Sequence, residues 1–332
     1  MPKGDELLSM NEVVDWLLEG PPWVQYRARI DLLGQPESDS EVVAARQAMT
    51  SHPQIRALIS ELAGWPGQPL LRHNDASHLL HKLVFMSDLR LRPGDKGVSQ
   101  IIDRILECQS QDRAFQIVTS ISSHYGGTGK DQLGWMLCDT PSVLYSLSKL
   151  RVKDDPAIQA AARHLASLCA DNGWPCTVST ELGKFRGPGR KTDPCPYATL
   201  IALKALSQMP EWRDGKPCLI GAEAILQLWE QRKERRPYLF AMGTDFAKLK
   251  APMVWYDMLH VLDVLTQFPH LHRDRRLLEM VDIIKAKSDE QGRFTAESVW
   301  KAWSKWEFGQ KRSPSYLLTL QVQRILRRIS GP

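Results

Sequence analysis

The chain has 332 residues, of which 43 are Lys or Arg and 38 are Asp or Glu, so its formal net charge is +5. Hydrophobic residues make up 43% of the chain and include 11 Trp, which excludes an intrinsically disordered protein. Six cysteines are too few for a disulfide scaffold, and no apolar stretch reaches the roughly 18 residues that a membrane span requires. We expect a cytoplasmic protein with reduced cysteines, no signal peptide and no transmembrane segment.

Charge is unevenly spread along the chain. Residues 1–50 carry nine acidic and four basic side chains, whereas residues 291–332 carry eight basic and two acidic ones. The Lys and Arg clusters are short and are not interleaved with aromatic residues, so a nucleic-acid partner is not expected. The basic RILRRI segment near the C-terminus is interpreted as an amphipathic last helix.

Six helical hairpins are predicted in chain order. Two weaker ones occupy residues 15–33 and 57–86, and four stronger ones follow. Each of the four has an amphipathic helix, a polar turn ending in an aromatic residue, a loop, and an apolar helix opened by proline. Proline suits the first helical position because the N–H there has no partner inside the helix. The turns are QSQDRAF (109–115), ADNGWP (170–175), EQRKERRPYLF (230–240) and SDEQGRF (288–294), and the opening prolines are Pro141, Pro196, Pro252 and Pro314.

The two helices of a hairpin differ in character. LLEMVDIIKAK (277–287) is apolar on one face, whereas YATLIALKAL (197–206) and VWYDMLHVLDVL (254–265) are apolar around most of their circumference. An outer ring of amphipathic helices around an inner ring of apolar ones satisfies both patterns. The sequence therefore predicts an all-α protein, an α/α toroid of about six hairpins, with an open solenoid as the rival. Residues 1–54 form its N-terminal helical region and 55–332 its toroid repeats, in one continuous domain.

Basic loops are expected at one rim of this toroid. All second helices run the same way, so their N-termini, which attract anions, converge there with the long loops. An apolar cavity under a basic rim suits an amphiphile with an anionic head. Solvated loop charges are the alternative for any single residue. The candidate cations are Lys184, Arg186, Arg190, Lys191, Lys248, Lys250 and Lys311.

Other candidate residues lie at the starts of the inner helices. Asp193, like Asp139, either caps a helix or acts as an acid. Trp255, Tyr256, Asp257 and His260 are expected on one inner helix, as a buried polar group or as a cavity-facing acid–base set.

The remaining candidates are expected to contact the ligand. His73 and Asp75 occupy the comparable start of another inner helix, and Tyr197 opens the apolar helix 197–206. Trp303 belongs to a run of tryptophans spaced by three residues, which indicates either packing of a short helix or an aromatic wall. Cys176 and Cys195 are interpreted as a buried thiol and as the small residue before a proline.

The turns CADNGWP and AKSDEQGRF follow a helix–DxxGxF/W–loop–helix pattern. With GKFRGPGRKTDPCPYATL, AKLKAPMVWYDMLHVLDVL and WSKWEFGQKRSPS, they resemble the terpenoid cyclase and protein prenyltransferase superfamily, and most of all uncharacterised bacterial squalene-cyclase-like proteins. The resemblance covers roughly residues 55–330 and implies an α/α toroid that handles an isoprenoid. It departs from the cyclases because no DxDD motif occurs.

The same resemblance raises the question of zinc. Asp193-Pro194-Cys195 matches the first two zinc ligands of the prenyltransferases in spacing and position, but His260, the only nearby histidine in the next repeat, lies two turns into its helix. Zinc needs three or four correctly placed ligands, so no cofactor is expected.

Three functions are left open. The first is an isoprenoid-handling cyclase or transferase that binds an apolar ligand with an anionic head. The second is an (α/α)6-barrel carbohydrate enzyme with two of Asp139, Asp193 and Asp257 as its carboxylates, which requires the pair to face a cleft. The third is a non-catalytic helical scaffold that binds a protein or a lipid.

Overall fold

The computed structural model describes residues 12–150, 152 and 154–331. Its helices are α1 (12–18), α2 (Pro22–Asp31), α3 (Ser40–Ser51), α4 (Pro53–Leu62), α5 (Leu79–Asp88), α6 (Val98–Leu106), α7 (Pro141–Lys149), α8 (Pro156–Ser167), α9 (Pro196–Leu206), α10 (Pro210–Arg213), α11 (Lys216–Glu230), α12 (Met258–Leu265), α13 (Arg275–Lys285) and α14 (Tyr316–Ser330). Single 3-10 turns lie at Ser123–Tyr125, Thr180–Leu182, Pro237–Leu239, Pro269–Leu271 and Lys301–Trp303.

The described chain is mostly helical, which agrees with the expected all-α class. One β-hairpin was not expected. Strands β1 (Ile117–Ser120) and β2 (Asp131–Gly134) pair antiparallel, with Ile117 opposite Gly134. The β-branched residues of β1 favour an extended backbone over a helix. In the part of the chain that the structure describes, no helix has both the length and the apolar composition to cross a membrane.

The chain divides into two compact units. The central unit comprises Leu58–Gly243 and Val254–Tyr256. The terminal unit comprises the described parts of Met1–Ala57, Thr244–Met253 and Asp257–Pro332.

The central unit has wholly buried helices and half-buried ones. Helix α7 packs against α5, α8 and α9, and α9 packs against α11 as well. All eleven residues of α9 are buried and eight of the nine in α7, against five of twelve in α8 and eight of fifteen in α11. This agrees with the predicted alternation of apolar and amphipathic helices.

The terminal unit is built around α2, α12 and α14. Helix α2 contacts α3 and α14, and α12 contacts α13 and α14. All eight residues of α12 are buried. Side chains accept the first N–H groups of α12 and α14: in α14 the carboxylate of Glu307 accepts hydrogen bonds from Tyr316 N (3.1 Å) and Leu317 N (2.7 Å).

Two of the four predicted proline-opened helices are wrong in their start. Helices α7 and α9 begin at Pro141 and Pro196 as expected, but α12 begins at Met258 and α14 at Tyr316, beyond Pro252 and Pro314. In both exceptions the helix begins just after a side chain that accepts an N–H: Asp257 Oδ1 from His260 N (2.9 Å) and Ser315 Oγ from Leu318 N (3.2 Å). A proline cannot supply that acceptor, so the capping residue sets the start.

Candidate functional site

An aromatic cluster in the central unit surrounds Trp255. Its ring lies 4.4 Å from that of Tyr197 and 5.5 Å from that of Phe240, and it stacks nearly parallel to the imidazole of His73 at 6.0 Å. Tyr256 contacts the other edge of Phe240 at 5.1 Å. Four predicted site residues, His73, Tyr197, Trp255 and Tyr256, are therefore brought together. Trp255, Phe240 and His73 are partly exposed, so the cluster is open to solvent.

His73 also forms an ion pair with a buried carboxylate. Its Nδ1 lies 2.8 Å from Oδ2 of Asp139, whose side chain is fully buried. The negative charge of Asp139 raises the pKa of His73, although burial acts in the opposite direction. Asp139 Oδ1 is buried without a hydrogen-bond partner, so the buried negative charge of this carboxylate is stabilised through the contact of its Oδ2 with His73. The expected helix-capping role of Asp139 is wrong: it makes no cap bond to α7.

Three cysteines meet beside this pair. Cys138 lies in the turn before α7, Cys195 directly precedes α9, and Cys176 lies in the loop after Trp174. Cys138 Sγ and Cys195 Sγ are 3.6 Å apart, and the Cys176 thiol is electrostatically coupled to both. Cys176 Sγ also accepts a hydrogen bond from Gly187 N at 3.1 Å. A buried thiol was expected at Cys176, but its contact with two other thiols was not.

The three thiols differ in protonation. Hydrogen bonds donated by Cys138 and Cys195 lower the pKa of Cys176, and the N–H of Gly187 and the charge of His73 lower it further. The pKa of Cys138 is raised because its proton is donated to Cys176 and to Cys195, and because it is buried. Hydrogen bonding with Cys138 lowers the pKa of Cys195, but Cys176 and burial outweigh it and raise that pKa to about 12. The pKa of Cys176 is therefore shifted in the opposite direction from those of Cys138 and Cys195.

The basic loop 183–192 covers this cluster. The ring of Tyr238 packs against Gly187 and Gly189, where a Cβ atom would come within 2.8 Å and 2.5 Å of it. Tyr238 Oη donates to the carbonyl of Arg190 at 3.2 Å. Only glycine allows so close an approach, so the loop is held over Cys176.

Four predicted ligand-binding cations belong to this loop. Lys184, Arg190 and Lys191 are exposed and make no ion pair within the described chain. Arg186 donates from Nη1 to Gly189 O at 2.6 Å and so braces the loop.

Asp193 does not act as the expected helix cap, which is Cys195 instead. Its Oδ1 forms an ion pair with Arg235 Nη2 at 2.6 Å. Because Arg235 occupies the carboxylate and Cys195 is engaged with Cys138, the Asp-x-Cys pair does not fit a zinc ion. Within the described residues, no group of three or more His, Cys, Asp or Glu side chains is arranged to hold a metal ion.

Two predicted catalytic residues, Asp257 and His260, have structural positions in the terminal unit. Asp257 caps α12 by accepting the backbone N–H of His260, and both side chains are almost fully buried. The predicted helix over 254–265 is therefore wrong in its first four residues, because Asp257 ends the extended segment that carries Trp255 and Tyr256. Asp75 similarly accepts from Ser77 N (3.0 Å) and shapes the turn before α5.

The remaining predicted ligand residues also lie in the terminal unit. Lys248 and Lys250 both pair with Asp245, at 3.1 and 3.5 Å, and the Lys250 ammonium lies 5.6 Å from the ring of Trp300. Trp303 is buried and packs on its aromatic neighbours, which agrees with the packing interpretation. Lys311 is exposed.

Sequence reasoning missed the meeting of the three cysteines and the His73–Asp139 pair. A signal was present, because Cys138 and Cys195 each lie within three residues of a proline that begins a buried helix. Helices α7 and α9 pack together, so their first residues are neighbours. The loop that returns Cys176 to this place has no comparable pattern.

The comparisons with known proteins are sparse. No protein-family model and no curated protein matches the chain. A solved structure described as a protein from Actinoplanes is similar over 98% of this chain and 100% of its own length, with 12% sequence identity and a TM-score of 0.44.

Proposed function

We propose that the protein binds an apolar, isoprenoid-like ligand with an anionic head at the aromatic cluster of the central unit. The observation that carries the proposal is the partly exposed Trp255 ring, flanked by His73, Tyr197 and Phe240. Phe240 lies two residues after Tyr238, against which the loop with four cations packs. Aromatic faces contact apolar chains, and Lys and Arg attract a phosphate or carboxylate. The helix layering of the central unit supports an α/α toroid like that of the terpenoid cyclases as the wider fold.

The shape of the site limits how such a ligand binds. A pocket lined in part by Pro196, Phe240 and Tyr256 has room for about 10 Å³, enough for one water-sized molecule. An apolar chain therefore lies against the solvent-accessible parts of the Trp255 and Phe240 rings, with its head toward Lys184, Arg190 and Lys191.

The carbohydrate-enzyme alternative has less support. Two carboxylates must face a cleft in that mechanism. Asp139 is paired with His73, Asp193 with Arg235, and Asp257 caps α12.

Calorimetric titration with farnesyl diphosphate tests the proposal, with farnesol and pyrophosphate as controls for tail and head. Binding that needs both parts is expected. Replacement of Lys184, Arg190 and Lys191 by Ala should weaken it at least tenfold without changing the unfolding midpoint. Arg186 is kept because it braces the loop.

A matched variant removes equal charge elsewhere in the same unit, at the exposed Lys96, Arg163 and Lys216. It should bind as the wild type does. Equal weakening by both triple variants, or no binding to any of the three compounds, contradicts the proposal.

A further inference from the structure

Positive charge is concentrated in three loops of the central unit. Together they make up 34 of the 332 residues and hold nine Lys or Arg and four Asp or Glu. Their balance of +5 equals the formal net charge of the whole chain. So local an excess of one sign favours an anionic partner. We call these loops the basic surface: 121–131, 181–193 and 231–240.

Direct contacts join the three loops. Gly127 and Gly183 form a β-bridge between the first loop and the second, and Lys184 N donates to Gly126 O at 2.8 Å. The ring of Tyr238, in the third loop, packs against two glycines of the second. The loops therefore form one continuous surface, and their charges act together on a partner.

Most of the nine cations are available to that partner. Arg232 stacks on the Trp229 ring at 3.8 Å, Arg235 pairs with Asp193, and Arg186 braces its own loop. The other six are exposed and make no ion pair within the described chain: Lys130, Lys184, Arg190, Lys191, Lys233 and Arg236.

Two apolar side chains are exposed on the same surface. Leu239, in the third loop, is 80% exposed, which is more than any other large apolar side chain that the structure describes. Tyr125, in the first loop, is 66% exposed and directly precedes the hydrogen-bonded Gly126. Apolar side chains that lie together among cations indicate an interaction site, because their burial against a partner would be favourable.

The backbone holds Leu239 in its exposed position. Tyr238 and Leu239 have φ angles of +53° and +64°, in a region that side chains other than glycine rarely adopt. Tyr238 gains packing from this turn, since its ring lies against two glycines and its Oη donates to Arg190 O at 3.2 Å. Leu239 gains no such packing, so the same turn that buries Tyr238 places Leu239 in solvent.

A lipid surface fits these features better than a nucleic acid does. Proteins that bind the face of a membrane combine cations that contact anionic headgroups with apolar side chains that enter the acyl boundary. A nucleic acid would use the cations and could stack a base on Tyr125. It offers no apolar interior for the aliphatic Leu239, whereas a bilayer does.

We propose that the basic surface docks the protein on a membrane leaflet rich in anionic lipid, with Leu239 and Tyr125 inserted among the headgroups. The observation that carries the proposal is the pair of exposed apolar side chains on joined loops that hold the excess charge. Docking goes beyond the ligand binding proposed above and does not rest on it. The two proposals share the cations of loop 183–192, so the variants that test docking lie outside that loop.

Flotation of the full chain with lipid vesicles tests docking. The vesicles are phosphatidylcholine with about 30% phosphatidylglycerol, and pure phosphatidylcholine is the neutral reference. Binding to the anionic vesicles should be about tenfold or more tighter, and should weaken as salt is added, because salt screens the attraction. This comparison uses the wild-type chain without any isoprenoid, so it is independent of variant folding and of the ligand proposal.

Leu239→Asn tests the apolar insertion. Asparagine adopts a positive φ more readily than leucine, so the turn is kept. Binding to anionic vesicles should weaken about fivefold or more and keep its salt dependence, since the cations are unchanged. Leu219→Asn is the matched control: Leu219 is 45% exposed in the same unit, but lies in the first turn of α11, at the end away from the third loop. It should bind as the wild type does.

The double variant Lys233→Ala with Arg236→Ala tests the charge. It should weaken binding to anionic vesicles about tenfold or more and make that binding less dependent on salt. Arg163→Ala with Lys216→Ala removes two exposed charges elsewhere in the unit and should leave vesicle binding unchanged. All these variants should bind farnesyl diphosphate as the wild type does, which keeps a failure of docking distinguishable from a failure of the ligand proposal.

Any of four results would overturn the proposal. No binding, or equal binding to neutral and anionic vesicles, would remove the role of charge. Unchanged vesicle binding in Leu239→Asn would remove the apolar insertion. Equal weakening by a variant and its matched control would show that the position of the charge or side chain is irrelevant. Tighter binding to a duplex oligonucleotide than to anionic vesicles would assign the basic surface to nucleic acid.

Discussion

The two units contain the same hydrogen-bonded turn before a helix, which is wholly buried in the central unit and half-buried in the terminal unit. In the central unit, Trp174 N donates to Thr199 Oγ1 at 3.0 Å, and Trp174 O accepts from Cys195 N at 2.8 Å. The indole is fully buried and its Nε1 donates to Leu165 O at 2.8 Å. These bonds join the turn aromatic to the start of α9, 21 residues later.

The terminal unit repeats this arrangement with the same spacing. Phe294 N donates to Thr319 Oγ1 at 2.9 Å, and Phe294 O accepts from Ser315 N at 2.9 Å. Ser315 again follows the aromatic residue by 21 positions and precedes the threonine by four. The copies differ at the capping residue, which is Ser315 in one and Cys195 in the other. The backbone hydrogen bonds are alike in both copies. The capping residue can therefore be serine or cysteine while the turn keeps the same hydrogen bonds.

Removing the turn aromatic should have the largest effect on both copies. Trp174→Ala and Phe294→Ala should each lower the free energy of unfolding by about 3–5 kcal/mol, because a fully buried ring leaves a cavity. The loss for Trp174→Ala should lie at the upper end of this range, since the hydrogen bond from its indole Nε1 to Leu165 O is lost as well. Urea unfolding measures both, with the 80% exposed Leu239→Ala as a control. A decrease in the free energy of unfolding of less than about 1 kcal/mol in either variant would show that the two turns do not stabilise their units in the same way.

Removing the threonine hydroxyl should have a smaller and equal effect. Thr199→Val and Thr319→Val keep the side-chain shape but leave the N–H of Trp174 or Phe294 buried without a partner. Each should lower the free energy of unfolding by about 1–3 kcal/mol. The exposed Thr180→Val is the control for the substitution itself. Clearly unequal losses would mean that the two turns are held by different contacts.

A pH dependence should distinguish the central copy. The charge of Asp139 raises the pKa of His73, so the folded chain keeps a proton that the unfolded chain releases. Stability from this pair is present below the ordinary histidine pKa of about 6.5 and is lost as the pH rises through the raised value. Cys176, whose pKa is lowered, has the opposite dependence, so the measurement uses a Cys176→Ser background.

In that background, urea unfolding should show stability that declines as the pH rises above about 6.5. Adding Asp139→Asn should abolish the decline, because the carboxylate charge is the largest cause of the raised pKa. The same decline in both chains would assign it to another group.

Exchanging the caps should have the smallest effect on stability. Cys195→Ser and Ser315→Cys should each change the free energy of unfolding by no more than about 1 kcal/mol, because both side chains accept one N–H. Urea unfolding checks this. A loss above about 2 kcal/mol in Cys195→Ser would show that the sulfur contacts stabilise the fold.

Apolar periodicity predicted the helices well, because burial decides which faces of a helix are apolar. It predicted the wholly buried helix α9, and the repeated turn pattern singled out Trp174 and Phe294, whose burial was not foreseen. It failed at Pro252 and Pro314, where side-chain acceptors at Asp257 and Ser315 set the helix starts instead.

The candidate site was predicted in its aromatic part and missed in its thiol part. His73, Tyr197 and Trp255 were named from the starts of buried helices, and these do lie together. Cys176 reaches its place through a loop whose path depends on the fit of Tyr238 between two glycines. A steric fit between residues that are far apart in the sequence produces no periodic pattern from which it could be predicted.

The interchangeable cap has a consequence for how such a chain changes over time. Most serine codons differ from a cysteine codon by a single nucleotide, and the two side chains differ by one heavy atom. Because the bonds between the turn aromatic and the helix start involve only backbone and threonine atoms, that exchange leaves the turn intact. A chain with several copies of this turn can therefore acquire or discard a thiol at a helix start by one mutation, with its architecture unaltered.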